Sequence, residues 1–366
     1  MKILIDDQIF SEQKFGGISR YFAELARGMS LDLGVTVRVP DALCTNQYLR
    51  QIKRPDRNGL CLPEAIGSGR IIRAMNRAYT SAYARRFSPD IVHESYYPSR
   101  NRRWPAGSKI VTTVHDMIHE LYPDNFLAID RTPEFKQRAV ENADLVICVS
   151  ENTRSDLVRM TGLDAGKAVV VHHGADHLGA EPRPRPELKD KPYLLYVGSR
   201  AGYKNFSCLL EAFTGEQYLW KNWDLVCFGG GPMTPTELSQ ILEAAAPSAN
   251  VIQVDGGDAT LCALYQHAAA FVYPSMYEGF GIPPLEAMSQ GCPVISSNVS
   301  SMPEVLGNAA EFFPPDDSRA LKESIMIVLS DEHRREELVS RGSAHVKEFT
   351  WQKCAEQTLA AYRQAV

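Results

Sequence analysis

The sequence predicts an α/β fold of two Rossmann-like domains facing each other across a cleft, and three observations predict it. The chain has 366 residues, which at roughly 150 residues per domain implies two domains. Two sets of six short apolar runs alternate with longer stretches of helical periodicity, the signature of strand–helix repetition. Between the sets lies Glu181-Pro182-Arg183-Pro184-Arg185-Pro186, whose alternate prolines make a stiff, extended linker.

The first set covers residues 2–6, 35–39, 90–93, 109–115, 145–149 and 168–172. The second covers 193–197, 224–228, 250–254, 270–273, 293–296 and 311–313. Clean alternation is lacking, so the runs read as strands covered on both faces, as in a parallel sheet. The domains are accordingly 1–180 and 181–350. Residues 351–366 form an amphipathic helix, with Cys354, Leu359 and Tyr362 on one side, expected to pack back on the first domain. Ligands of parallel sheets bind at the carboxyl ends of strands, so the residues that follow each run carry the functional argument.

Lys plus Arg number 39 and Asp plus Glu 44, for a net charge of −5; nothing in that balance points to nucleic acid. The halves differ, however. Residues 1–180 hold 24 basic and 21 acidic groups, and residues 181–366 hold 15 and 23. Within the first half, residues 50–109 carry 13 basic groups against 4 acidic ones, a segment suited to an anionic partner. No run approaches the roughly 18 apolar residues of a membrane span. The N-terminus reads as a first strand rather than a signal peptide, because Asp6-Asp7 follows only a short apolar stretch. The eight cysteines form no Cys-x-x-Cys pair, which fits a reducing cytoplasm.

Six motifs follow strands or begin helices. Gly16-Gly17 precedes a helix over residues 19–29; it allows close approach of an anion to backbone N–H groups, and a plain tight turn explains it equally. His115 and His119 have the i, i+4 spacing of a zinc-protease motif. His115 ends an apolar β run and its neighbour is Asp116, not Glu, so metal binding is discounted and His115 reads as a site residue at a strand tip. His172-His173-Gly174-Ala175-Asp176-His177 reads as a strand end and turn. In Gly198-Ser199-Arg200-Ala201-Gly202-Tyr203-Lys204, the two cations stand nearly alone, because from 205 to 318 the only other Lys or Arg is Lys221. They are suited to a phosphate chain, Arg through its fork and Lys as a point charge. Gly229-Gly230-Gly231 is a weak backbone-approach signal. The sixth motif, Glu278-Gly279-Phe280-Gly281-Ile282-Pro283-Pro284-Leu285-Glu286, places one carboxylate in a glycine-rich loop and another inside a proline-started helix. Amides for phosphate and carboxylates for hydroxyls together suit a nucleotide sugar.

These residues resemble the retaining family-4 glycosyltransferases of the GT-B fold. The resemblance spans the chain. It includes Gly16-Gly17, residues 88–93, His115-Asp116, residues 143–150, Gly198-Ser199-Arg200 with Lys204-Asn205, Gly229 to Pro232, Glu278 with Glu286, Gly291 to Ile295 and Met302 to Val305. It implies that His115, Arg200, Lys204 and Glu278 are catalytic. Arg200 and Lys204 would hold the donor diphosphate, Glu286 the ribose, and Glu278 the transferred sugar with backbone help from Gly279, Phe280, Gly281 and Ile282. Gly16, Gly17, Gly198, Ser199, Gly229 and Val254 complete the expected donor site, with the base near Val254-Asp255. Gly17, Tyr96, His115 and Asp116 are expected on the acceptor side. No metal or other cofactor is implied, the nucleotide sugar being a co-substrate. Tyr203 and His173 depart from the family's usual basic residue and asparagine.

The motifs resemble most those of bacterial mannosyltransferases that use GDP-mannose to build surface polysaccharide, including lipopolysaccharide. A UDP-glucose-dependent transferase, an epimerase or a silent sugar-nucleotide binder are the alternatives. The acceptor is expected to be a glycan or lipid-linked. The basic segment is expected to meet it or an anionic membrane surface, which would make the enzyme peripheral on the cytoplasmic face of the inner membrane.

Overall fold

The computed structural model describes residues 1–30, 34–51, 60–62, 69–99, 102–179, 181–184, 186, 188, 191–244 and 250–366. Among them are strands β1 (Lys2–Ile5), β2 (Thr36–Arg38), β3 (Leu43–Cys44), β4 (Leu60–Cys61), β5 (Ile91–Glu94), β6 (Lys109–Val114), β7 (Leu145–Cys148) and β8 (Ala168–Val170). They continue with β9 (Tyr193–Val197), β10 (Asp224–Phe228), β11 (Val251–Val254), β12 (Ala270–Tyr273), β13 (Val294–Ser297) and β14 (Ala310–Phe313). Every expected run is a strand. The two-residue strands β3 and β4 are additional, and they are too short to leave a periodic signal.

The chain forms two compact units, Met1–Gly174 with Trp351–Val366, and Ala175–Thr350. The first unit holds a parallel sheet of order β2-β1-β5-β6-β7-β8, and β3 pairs with β4 apart from it. Every residue of β5 and β7 is buried, which is why those segments read as continuous apolar runs. The helix Gly17–Met29 buries Tyr21, Phe22, Leu25 and Met29. The helix Trp351–Ala365 belongs to this unit and buries Cys354, Leu359 and Tyr362. The Tyr362 hydroxyl bonds His93 Nδ1, and His93 Nε2 lies 2.8 Å from Thr113 Oγ1.

The helix Arg70–Phe87 buries Ile72, Asn76, Thr80 and Ala84. Asn76 commits its amide to Leu43 and Ser11, at 2.8–3.0 Å. Ile71 and Met75 point to solvent instead, 76% and 49% exposed. Four cations of the basic segment, Lys53, Arg54, Arg57 and Arg100, lie outside the described residues. No described helix is long and apolar enough to cross a membrane.

The second unit holds a parallel sheet of order β11-β10-β9-β12-β13-β14. Its core joins Leu194, Tyr196, Leu209, Phe213, Leu225, Val272, Ile295 and Ile325. Strand order reverses between β9 and β12, the topological switch point at which open parallel sheets bind ligands.

Candidate functional site

In the second unit the expected residues gather on the loops that leave β9, β10 and β12. Gly229, Gly230 and Gly231 all have φ near +75°, a region that L side chains rarely adopt. A Cβ on Gly230 would also stand 2.7 Å from the Gly198 carbonyl oxygen. The loops after β9 and β10 therefore touch backbone to backbone.

Arg200 locks this contact. Its Nε donates to Glu237 Oε1 at 2.8 Å. Nη1 donates to the Gly229 carbonyl at 3.0 Å and to Gln253 Oε1 at 2.7 Å. Nη2 donates to the Gly231 and Pro232 carbonyls at 2.9 and 3.3 Å. A guanidinium has five N–H donors, and five acceptors meet them on a side chain only 1% exposed. The fork faces inward, onto these loop acceptors. The sequence displays an isolated cation but not the carbonyls and the Glu237 carboxylate that the fold brings to it.

Lys204 is the more open cation. It ends the short turn Gly202–Lys204, and its Nζ donates to Glu278 Oε1 at 2.7 Å and lies 3.4 Å from the Tyr273 hydroxyl. Asn205 fixes the turn by donating to the Pro274 and Pro315 carbonyls. Ser300 and Ser301 hold the Glu278 backbone, with hydroxyls 2.6 and 2.9 Å from its carbonyl oxygen. Burial and the Glu278 charge keep the Tyr273 phenol protonated.

Gly281, at φ +87°, caps the helix Ile282–Ser289. A Cβ there would fall 2.4 Å from the Met302 methyl. Pro283 and Pro284 remove two of the four N–H groups that a helix start leaves without intrahelical partners, so Gly281 and Ile282 supply the remaining pair. One turn on, Glu286 is buried. His177 Nε2 lies 2.7 Å from its Oε1, and Tyr265 donates to its Oε2 at 3.2 Å. A carboxylate only accepts, so the His177 proton sits on Nε2. Val254 ends the edge strand β11, where its carbonyl accepts from Gly229 N–H at 3.4 Å and from Gln253 Nε2 at 3.2 Å.

In the first unit, Gly16 and Gly17 start the helix Gly17–Met29, two residues earlier than expected. His115 follows β6 and is half-buried. Its ring stacks on His173 at 5.8 Å and meets Tyr21 edge-on at 5.3 Å. Its Nε2 is buried without a hydrogen-bond partner among the described residues. Burial, then the His93 and Lys136 charges, push its pKa down to about 3, so the ring is neutral. His119 stacks instead on Phe126, 3.9 Å away, so the two imidazoles do not share a ligand position. Asp116 accepts from Ile118 N–H at 3.1 Å, and its carbonyl accepts from the buried Lys136 at 2.8 Å. Tyr96 packs on Tyr97, and the Tyr97 hydroxyl is hydrogen-bonded to the His115 backbone.

Sequence reasoning missed Glu237, Gln253, Tyr265 and Lys136, single residues with no motif around them. His177 had a signal, the histidine cluster, but was read as part of a turn. Among the described residues, no group of three or more His, Cys, Asp or Glu side chains is placed to hold a metal ion.

Comparison with known proteins places the chain among glycosyltransferases. Residues 15–177 match the family described as Glycosyltransferase Family 4, and residues 180–345 that described as Glycosyl transferases group 1. O-antigen chain mannosyltransferase B of Escherichia coli is 32% identical over 298 residues, 77% of this chain and 76% of that one. A serotype-specific mannosyltransferase of E. coli is 27% identical over 308 residues, 75% of this chain but 37% of that longer protein. Among solved structures, sucrose-phosphate synthase of Thermosynechococcus elongatus superposes with a TM-score of 0.72 at 20% identity, covering 100% of this chain and 98% of that one.

Proposed function

Because the chain belongs to glycosyltransferase family 4, a family of retaining hexosyltransferases with the GT-B fold, we propose that it transfers mannose from GDP-mannose to a glycan or lipid-linked acceptor in surface-polysaccharide synthesis. The observation that carries the site assignment is the Lys204–Glu278 pair at 2.7 Å, beside the switch point of the second sheet. It sets a cation for departing diphosphate next to a carboxylate for sugar hydroxyls. The mannose assignment is supported by the E. coli O-antigen mannosyltransferase similarity.

In this reading, departure of the nucleotide builds negative charge on the diphosphate, and Lys204 with the Gly281 and Ile282 amides stabilises it. Preorganised donors of this kind are typically worth about 3 kcal/mol each, so Lys204→Met lowers turnover on the order of 10²-fold or more. Arg200 acts by holding the Gly229–Pro232 loop, and Glu286 binds the ribose. His115, neutral, hydrogen-bonds the transferred sugar. Gly17, Tyr96 and Asp116 serve the acceptor. Substitution proceeds on the front face, with the leaving phosphate taking the acceptor proton; a sugar trapped covalently on a side chain would refute that step. The exposed Ile71 and Met75, among the arginines of their helix, support a peripheral seat on an anionic membrane.

A thermal-shift panel of GDP-mannose, UDP-glucose and ADP-glucose tests the donor. A ligand at 100 times its Kd stabilises by about 2.7 kcal/mol. A shift with GDP-mannose alone is expected; a shift with UDP-glucose alone overturns the donor assignment.

A further inference from the structure

A cavity lies wholly within the first unit. It has a volume of about 590 Å³ and is lined by Asp7 and Glu12, which follow β1, by Arg102, which follows β5, and by Arg70, Arg73 and Arg77. Strand order in this sheet reverses between β1 and β5, so the cavity occupies the switch point where a ligand crevice is expected. Its size is that of a small-molecule site.

The charges differ from those of an ordinary surface. Arg102 is committed: its side chain is 5% exposed, 2.8 Å from Asp7 Oδ1 and 3.3 Å from Asp6 Oδ2. Arg70, Arg73 and Arg77 stand at i, i+3 and i+7 of one helix, where like charges repel. Two of them occupy its first turn, at the end where the helix dipole disfavours cations, and that turn holds no acid. The lining sets four guanidinium groups against the Asp7 and Glu12 carboxylates, an excess of positive charge that suits an anion. Guanidinium forks match phosphate oxygens, and the Glu12 and Asp7 carboxylates accept bonds from hydroxyls.

We propose that this cavity binds a phosphorylated sugar, a saccharide carrying a phosphate or diphosphate ester, as the anchoring part of the acceptor. The proposal rests on the reading of the chain as a glycosyltransferase whose first unit serves the acceptor. The phosphate ester belongs either to a soluble sugar phosphate or to a lipid-linked sugar diphosphate, and the test separates the two sources.

The full chain is titrated calorimetrically with glucose 1-phosphate and with methyl glucoside. In parallel it is sedimented with phosphatidylcholine vesicles with and without a polyprenyl diphosphate-linked sugar. The variants are Arg73→Gln/Arg77→Gln and, as a charge-matched control away from the cavity, Arg131→Gln/Arg154→Gln. The single variant Arg73→Gln, at an exposed position, replaces the double one if the latter melts early. Glucose 1-phosphate is expected to bind and methyl glucoside not to, with affinity falling by about tenfold or more per arginine removed and unchanged in the control. Binding only to vesicles bearing the lipid-linked sugar, lost in the same variant, supports the proposal with the lipid as source. No binding of any charged probe, equal binding of methyl glucoside, or binding unaffected by Arg73→Gln/Arg77→Gln overturns it. The GDP-mannose thermal shift, measured on every protein, reports separately on the donor assignment.

Discussion

Replacing Arg200 with Lys separates two roles that its charge alone would confuse. If Arg200 contacted donor phosphate, Lys would keep the charge and much of the effect. If Arg200 holds the glycine loop, Lys fails, because one ammonium with three donors cannot reach Glu237, Gln253 and three backbone carbonyls at once. Breaking a buried ion pair from one side costs about 3–5 kcal/mol. The Glu237 side chain is 20% exposed, which favours the lower end of that range. For a unit of this size, each kcal/mol moves Tm by roughly 2–4 °C, so Arg200→Met should melt roughly 6–12 °C below the parent; Arg200→Lys keeps the charge beside Glu237 but leaves at least two of the five acceptors without a donor, and should melt below the parent as well. Donor KM should rise in both as the Gly229–Pro232 loop loosens. Melting curves with and without GDP-mannose, together with steady-state rates, make the comparison. Arg200→Lys melting like the parent while Arg200→Met loses turnover would refute the positioning role and restore a direct phosphate contact.

Three further outcomes are expected. His177→Ala frees Glu286 from one of its two partners and should raise donor KM about tenfold, the value of one charge-assisted hydrogen bond, whereas His177→Gln should recover part of it; identical KM values in all three proteins would dismiss the contact. His93 and His115 have folded pKa values near 3, set first by burial, and that of His173 is also lowered. Below pH 6.5 the unfolded chain takes up protons that these folded histidines refuse, so their contribution to stability is whole above that pH and lost as pH falls toward 3. At pH 5.5 His93 and His115 each cost roughly 1.4 kcal/mol, and urea titrations at pH 7.5 and 5.5 should differ accordingly; no difference would contradict neutral, buried rings. Finally, Ile71→Glu/Met75→Glu should reduce sedimentation with anionic vesicles at low salt, with Tm unchanged because both side chains are exposed; undiminished sedimentation counts against a membrane seat for that helix.

The strands were legible because β5, β7 and their neighbours are covered on both faces, and burial on both faces leaves an uninterrupted apolar run. The helix Arg70–Phe87 follows a different rule. There the buried stripe includes Asn76 and Thr80, whose polar groups are satisfied by backbone and Ser11. Apolarity marks burial only where no polar partner awaits.

The sequence by itself determined the class of fold and displayed the motifs, since each depends on residues close together along the chain. Tertiary structure decided what those residues face. Arg200 turned inward because Gly229, Gly231, Pro232, Glu237 and Gln253 come to it from a loop, a helix and a strand 29 to 53 positions away. Glu286 acquired His177 from 109 positions away. The arginines of residues 50–109 became, in part, the lining of one cavity, because β1 and β5 place their following loops side by side. Hydrogen bonds and ion pairs depend on proximity in space, and spacing along the chain carries that information only within a single turn or helix.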